Sequence, residues 1–580
     1  MSQNEKWSAR WTRWMNRWHA LLSTRARPAT GFVSQPEPRT IGSYAKGRQL
    51  VSGNFLFAGS LKVDQVRSIW QLPMQEPAFE DEIHGFTWLD DLAAVGDTAA
   101  RQRAQSWLLE WIELYGRGKG PGWTPDLTGR RLIRWINHAI FLLNGQDREA
   151  TAAYFASLAQ QTIFLSKRWH AASSGLPRFE ALTGLIYAGW ALTGMEAHVA
   201  PAMKGLAREC QDRIDSQGGI PTRNPEELLE VFTLLNWAVL ALSEAGKMAQ
   251  PEHLMAIERI APTLRALRHN DGALARFHGG GRGAEGRLDH ALATSGVKSG
   301  AAVGLSMGFA RLHGGRSSLI LDAAAPPIGA ASYNAHASTL AIELTSGRRP
   351  LVVNCGSGVS FGPDLRRAGR ATASHSTLAL DGLSSSQLGR KGLIGGRQRE
   401  YLINTPRDVR IQYLVEDGAQ GIIAGHDGYV RSHGLTHIRK LELSRNGRGL
   451  VGEDTLAAIE KAEERAFDKA LDKGHLKGIG FKIRFHLHPD VMAELDMGGN
   501  AVSMVLKSGE VWVFRHDGAT KLNLEPSVFM EKGRLKARAT KQVDLSGTAV
   551  AYVTRIQWTL AKAQDTPDTV RDLKREDVSI

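Results

Sequence analysis

The spacing of apolar residues changes period once along this chain, near residue 300. Before that point they recur every three or four positions, as on one face of a helix; beyond it they alternate, as along a strand. The first regime predicts helices over 88–115, 128–144, 149–170, 178–194, 199–215, 225–245 and 251–268. Turn signals separate them: GRGKGPGW at 116–123, NGQD at 144–147, SSGLP at 173–177 and SQGGIPTRNP at 216–225. Seven helices with short links stack as antiparallel hairpins and can close into an incomplete toroid. No strict repeat is visible, which disfavours a regular solenoid. A hairpin is predicted ahead of them at GNFLFAGSLKV, 53–63. After a glycine-rich stretch, DGALARFHGGGRGAEGRLDHA, come runs of four to eight residues such as SLILDA, TLAIEL, PLVVNC, STLALD, EVWVFRH and TAVAYVTRIQW. Their Val, Ile, Leu and Thr content predicts a large antiparallel β structure. A charged segment, 459–478, reads as an inserted helix, and 562–580 as a polar, frayed tail.

The resulting fold class is an α + β multidomain chain. Residues 1–45 form an amphipathic helix and linker, 46–295 an (α/α) incomplete toroid, 296–561 an antiparallel β-sandwich, and 562–580 a tail. Length agrees, since 580 residues exceed one ordinary domain. Thirteen of the 15 tryptophans precede residue 240, so the two halves are built differently.

Four of those tryptophans change the picture. Trp7, Trp11, Trp14 and Trp18 share one helical face within 5–22, while Arg10, Arg13 and Arg17 lie largely off it and Arg25 and Arg27 follow. That pattern suits a helix lying on an anionic membrane surface, or one docking its aromatic edge on its own protein. The N-terminus lacks the apolar core and cleavage site of a secretory signal. This predicts a cytoplasmic protein or one peripheral to the inner membrane. A net charge of +13 suits an acidic partner. No helix-turn-helix, RNA-recognition or zinc-finger motif is present, so a specific nucleic acid is not expected. Only Cys210 and Cys355 occur, which excludes a disulfide framework.

The candidate chemistry concentrates between Tyr333 and Asp381. His336 and His375 each open a short apolar strand, and the strand between them ends on Asn354. Three strand ends thus carry polar groups that can converge on one wall of a cleft; buried structural histidines are the other reading. In the helical half, Trp88 and Trp123 offer flat faces for stacking on sugar rings, or fill the core. Arg131, near Asn137, belongs to a basic face that lines a polyanion groove or merely solvates a helix. Arg223 and Asn224 precede the helix starting at Pro225, where an anion can sit or Asn224 can act as a simple cap.

With these motifs in view the chain resembles the heparinase II/III-like family of polysaccharide lyases and relatives. The carrying stretches include FTWLDDL (86–92), RLIRWINHAIFLL (131–143), RNPEELLEV (223–231), DGALARFHG (271–279), GFARLHGGRSSLILDAAAPP (308–327), AHASTLAIELTSGRRPLVVNCG (335–356), SHSTLALDG (374–382) and HIRKLELS (437–444). The resemblance implies β-elimination on a uronate-containing glycan. That reaction needs a base for the C5 proton, an acid for the leaving oxygen and groups that neutralise the carboxylate. Carried over by position, His336, Asn354 and His375 stand where relatives hold a divalent metal, zinc first, with a His/Asp/His set. Asn354 replaces the Asp, which leaves a metal-free, hydrogen-bonded site as the alternative. Asn334 stands where relatives often have a catalytic His, and Tyr333 beside it is a candidate for proton transfer. The family's Tyr from the helical half has no match here, and His278 is the nearest substitute. Arg223 and Asn224 fall where relatives neutralise the substrate carboxylate. The expected function is lyase-type cleavage of an acidic polysaccharide. The alternative is a glycan-binding or envelope-assembly protein on the same scaffold with degraded catalysis, which the departures at Asn334, Asn354 and the missing Tyr favour. The family expectation for compartment is the cell envelope or periplasm.

Overall fold

The computed structural model describes residues 2–566 except 35–36, 65–67, 74–75, 301, 303, 395–396 and 417, with the side chains of 2–6, 393–394, 397–398 and 415–416 also left aside. The helical half is an incomplete toroid. Its helices are Thr87–Val95, Thr98–Tyr115, Pro125–Asn137, Arg148–Arg168, Leu176–Ala191, Val199–Arg213, Pro225–Glu244 and Pro251–Ala266. Local chemistry sets their ends. Asp97 and Asp147 accept hydrogen bonds from Ala100 and Ala150 N–H, and proline opens the helices at 125, 225 and 251. The single helix expected over 88–115 is two, because Gly96 turns left-handed at φ 69° and Asp97 restarts the chain as a cap.

The C-terminal half is a sandwich of two antiparallel sheets. One runs Val409–Glu416, Ala419–Tyr429, Leu435–Ser444, Gly449–Ala457, Val553–Gln564, Val511–His516, Ala501–Val505, Met492–Asp496. The other runs Lys521–Phe529, Arg538–Ala549, Ile479–Leu487, Arg349–Val353, Ile342–Ser346, Ser317–Asp322, Phe309–Gly314, with Leu378–Leu380 pairing on Ile479–Leu487. The final strand reaches Gln564, so the tail does not begin at 562; residues 567–580 lie outside the described residues. Leu435–Ser444 alternates buried and half-buried positions, as a strand with one dry face should. Ser317–Asp322 and Ile342–Ser346 are buried at every position. Their Leu319, Leu321, Ile342 and Leu344 join the sandwich core, whereas Ile320 joins the core of the toroid. Alternation then turns Asp322 and Glu343 toward the toroid.

Two carboxylates are therefore buried in the seam between the halves, and the toroid answers both. Glu343 meets His269 Nε2 at 3.0 Å and the N–H of Arg276 at 3.1 Å. Asp322 accepts from Arg223 Nη2 at 2.6 Å and from Ser338 Oγ at 2.6 Å. The Arg223 guanidinium spends its remaining donors on the carbonyls of Met307, Gly308, Ala324 and Ala325, with its centre 4.6 Å from the Phe309 ring. Its backbone is held at φ 50°, a strained setting for a non-glycine residue.

The N-terminal helix Ser2–Ser23 docks on Arg148–Arg168 by its small and polar side. Asn16, Ala20 and Ser23 are buried, and Asn16 Oδ1 accepts from Arg168 Nε at 2.8 Å. At 100° per residue the tryptophan stripe lies roughly opposite that docked side. Trp7, Trp11, Trp14 and Trp18 are 73%, 57%, 51% and 48% exposed, so the aromatic edge does not dock on its own protein. The following segment is packed rather than loose: Phe32 bridges Leu192, and Thr40 Oγ1 lies 3.0 Å from His138 Nε2.

Breaking a buried ion pair from one side strands the other charge, at about 3–5 kcal/mol. Asp322→Ala should therefore cost about that much in chemical unfolding, whereas Ser338→Ala, which removes one hydrogen bond to the carboxylate, should cost about 2 kcal/mol. Equal, small losses would show that the seam does not depend on the carboxylate.

Candidate functional site

A chain of buried histidines runs through the seam. His375 Nδ1 lies 2.8 Å from the Ala371 carbonyl and so must donate to it. Its Nε2 then accepts from His336 Nδ1–H at 3.0 Å, which leaves His336 Nε2 as the unprotonated nitrogen. His278 Nδ1 accepts the backbone N–H of His336 at 3.2 Å. Its other nitrogen faces Asp322 Oδ2 at 3.3 Å, without the alignment of a hydrogen bond. Burial pushes all three imidazoles down, His375 to about 4 and His336 well below the ordinary histidine range, so they are neutral at pH 7. Asp322 stays ionised: Arg223 and His278 hold its carboxyl well below the usual range against the cost of burial.

The expected metal set does not fit. Asn354 Oδ1 accepts the Ser376 N–H at 2.9 Å and its Nδ2 points to Glu343 Oε1 at 3.5 Å. The two imidazoles are left without a carboxylate partner. Among the described residues, no three His, Cys, Asp or Glu side chains are grouped as a metal centre requires.

The rim belongs to residues that carry charge. Tyr333 and Asn334 end a short turn of helix, Gly329–Asn334, and are half-buried. The Arg399 guanidinium stands 4.4 Å from the Tyr333 ring centre, and Arg366 Nη2 donates to Asn334 Oδ1 at 2.8 Å. Arg370 ties this loop down through the carbonyls of Ser332, Ala335 and Glu400. The arginines crowd one another: burial and then Arg399 lower Arg366, while burial and then Arg366 lower Arg370 to about 10. An anion would relieve that repulsion. Facing them from the toroid are Glu180 and Glu227, each raised to about 7 mainly by burial. Burial and the nearby Glu227 carboxylate push Tyr333 to about 12. The sandwich side of the seam is thus basic, and the toroid side carries two carboxyls, Glu180 ion-paired with Arg130 at 2.6 Å and Glu227 raised to about 7 by burial.

The other expected site residues are elsewhere or otherwise engaged. Trp88 and Trp123 are buried, with indole N–H groups on the carbonyls of Ile83 and Tyr115; they are core, not sugar platforms. Arg131 is fully buried 4.1 Å from the Trp111 ring, its N–H groups on Gln161, His84, Gly122 and Thr128, so it reaches no groove. Asn137 lies about 10 Å along its helix from Arg130, which pairs with Glu180. It lines a separate pocket with Thr40, Asp90 and His138. Arg223 has no donor left for a substrate. Asn224 is the cap of Pro225–Glu244, its Oδ1 accepting from Glu226 and Glu227 N–H. Glu180, Glu227, Arg366 and Arg399 were not singled out from sequence. Glu227 sat in the RNPEE turn as a signal; Arg366 and Arg399, on a short helix and a short strand, had none.

The family description "Heparinase II/III-like, C-terminal" matches residues 297–559. FtsZ-localized protein C of Caulobacter vibrioides is 30% identical over 560 residues, spanning 94% of this chain and 92% of that one. Among solved structures, heparinase III superposes with a TM-score of 0.66 at 14% identity, over 95% of this chain and 89% of its own. The heparan sulfate lyase HepC of Pedobacter heparinus gives 0.55 at 14% identity, over 96% and 89%. The toroid-plus-sandwich fold is thus shared across both halves.

The histidines set the acid response of the fold. A His whose folded value lies below its ordinary 6.5 contributes stability above that value and loses it as pH falls toward the folded one. The contribution of His375 to stability should therefore be flat above about pH 6.5 and be lost from there to about pH 4, against the opposite trend of Glu180 and Glu227, whose raised values favour the fold as pH falls through about 7. His375→Gln should blunt that loss in the pH profile of the melting temperature. An unchanged profile would mean that His375 is not held neutral. Chelators should leave the melting temperature at pH 7.5 unaltered; a large drop would restore the metal.

Proposed function

This chain belongs to the heparinase II/III-like family, and on that scaffold we propose that it holds an acidic glycan in the interdomain cleft without cleaving it. The state of His278 and Asn334 carries this reading. Elimination needs a base and an acid within about 3 Å of the atoms they serve. His278 is sealed in the seam between His336 and Asp322, and Asn334 has no titratable proton and is held by Arg366. Arg223, the other expected participant, is saturated. What remains exposed to a ligand is a cationic rim, Arg366 and Arg399, suited to carboxylate or sulfate groups.

The N-terminal helix supports a site of action on a membrane surface. Its tryptophan stripe faces solvent, flanked by the exposed Arg10, Arg13, Arg17, Arg25 and Arg27, a charge pattern complementary to an anionic bilayer. No helix among the described residues is long and apolar enough to cross a membrane, so attachment would be to one face. The Caulobacter relative is named for its localisation with FtsZ. We extend to this chain a place at the division apparatus on the inner membrane.

A second reading keeps the lyase. Tyr333 is half-buried under Arg399, and the two carboxyls opposite could share a proton with a uronate. One assay separates the two. Full-length protein with a panel of uronate-containing oligosaccharides should bind them with affinity that falls steeply with salt, and produce no absorbance from a 4,5-unsaturated uronate. Arg399→Ala should weaken binding about tenfold, or about 1.4 kcal/mol. Steady accumulation of unsaturated product that Tyr333→Phe abolishes would establish the lyase instead.

A further inference from the structure

The N-terminal helix and the cleft are joined by a short structural path. The helix runs antiparallel to Arg148–Arg168, with Asn16 against Arg168 and Ala20 against Gln160. Arg168 lies at the end of its helix, from which the chain turns into Leu176–Ala191 and reaches Glu180 on the cleft wall. The half of the N-terminal helix before Asn16, which carries Trp7, Trp11 and Trp14, therefore projects past the toroid toward the sandwich. There the helix packs against the strand Gly392–Ile394. That strand pairs with Arg397–Arg399, whose last residue stands over Tyr333. The next residue, Glu400, is fastened to Arg367 and, through its carbonyl, to Arg370. The element that meets the membrane thus abuts the hairpin that forms the cleft rim.

Resting on the function proposed above, we infer that the ligand of the cleft is a lipid-anchored acidic saccharide, presented from the same bilayer on which the N-terminal helix lies. The geometry places the cationic rim beside the helix that carries the tryptophan stripe, within reach of a headgroup held at the surface. Confinement to that surface raises the ligand's effective concentration, and a rim that binds a soluble saccharide only weakly then suffices.

The test uses the full chain and three probes. These are a soluble glucuronate oligosaccharide, phosphatidylglycerol–phosphatidylcholine vesicles, and the same vesicles doped with that oligosaccharide on a lipid anchor, matched in surface charge by reducing phosphatidylglycerol. Doping should tighten vesicle binding at least tenfold, and Arg399→Ala should abolish that gain. Trp11→Glu with Trp14→Glu, exposed positions that do not threaten folding, should lower binding to both kinds of vesicle. If the soluble oligosaccharide binds but doping adds nothing, the cleft does not face the bilayer and this inference falls while the proposed function stands. If neither the soluble nor the anchored saccharide is bound, the proposed function falls with it. If the stripe instead pairs two copies, seen as a dimer that the double variant dissociates with no vesicle binding, the inference is overturned as well.

Discussion

Asp322 and Glu343 are two carboxylates buried on the face of a sheet that has no water to turn to. A lone ionised carboxylate there is costly, so each needs a partner brought from outside the sandwich. The toroid brings them: Arg223 and His278 for Asp322, His269 and the Arg276 N–H for Glu343. This demand fixes how the halves meet. It also explains why Arg223 keeps a strained backbone, since only that turn delivers its guanidinium into the seam.

The same demand engages the histidines of the seam. A histidine enlisted to hold a seam together is no longer free to move substrate protons. His278 sits between a backbone N–H and a carboxylate, and His336 and His375 form a neutral relay that ends on the Ala371 carbonyl. Positions that resemble a lyase centre in sequence thus serve to connect the two halves, while Arg366 and Arg399 stand at the rim on a short helix and a short strand.

How much of this was legible in the sequence varies with the kind of signal. The change from a period of about 3.6 to 2 located both halves, because burial on one face of a helix or strand leaves that mark. It could not tell that Ser317–Asp322 is covered on both faces, and so gave no hint that Asp322 matters. His336 and His375 do meet, but neither opens a strand as the pattern suggested: the strands begin at Ile342 and Leu378, and both histidines lie in the connections before them. The pattern also misjudged Trp88, Trp123 and Arg131, because a residue type suited to sugars is equally suited to a core: Arg131 looks like a groove lysine or arginine until its donors are seen facing backbone carbonyls. Arg366 lies in the short helix Pro363–Gly369 and Arg399 in the three-residue strand Arg397–Arg399, elements too short for periodicity to mark. The exposed tryptophan stripe was legible from the first turn, whereas its proximity to the cleft rim depends on a contact between residues nearly 400 apart in sequence.

The central claim is that the cleft binds an acidic glycan in a pose without a base. A crystal structure with a uronate-containing oligosaccharide tests it most directly. The account predicts an intact sugar whose carboxylate lies against Arg399 and Arg366, with its C5 beyond hydrogen-bonding reach of Tyr333 Oη and His336 Nε2. An unsaturated product in the cleft, or C5 within about 3 Å of either atom, would contradict it.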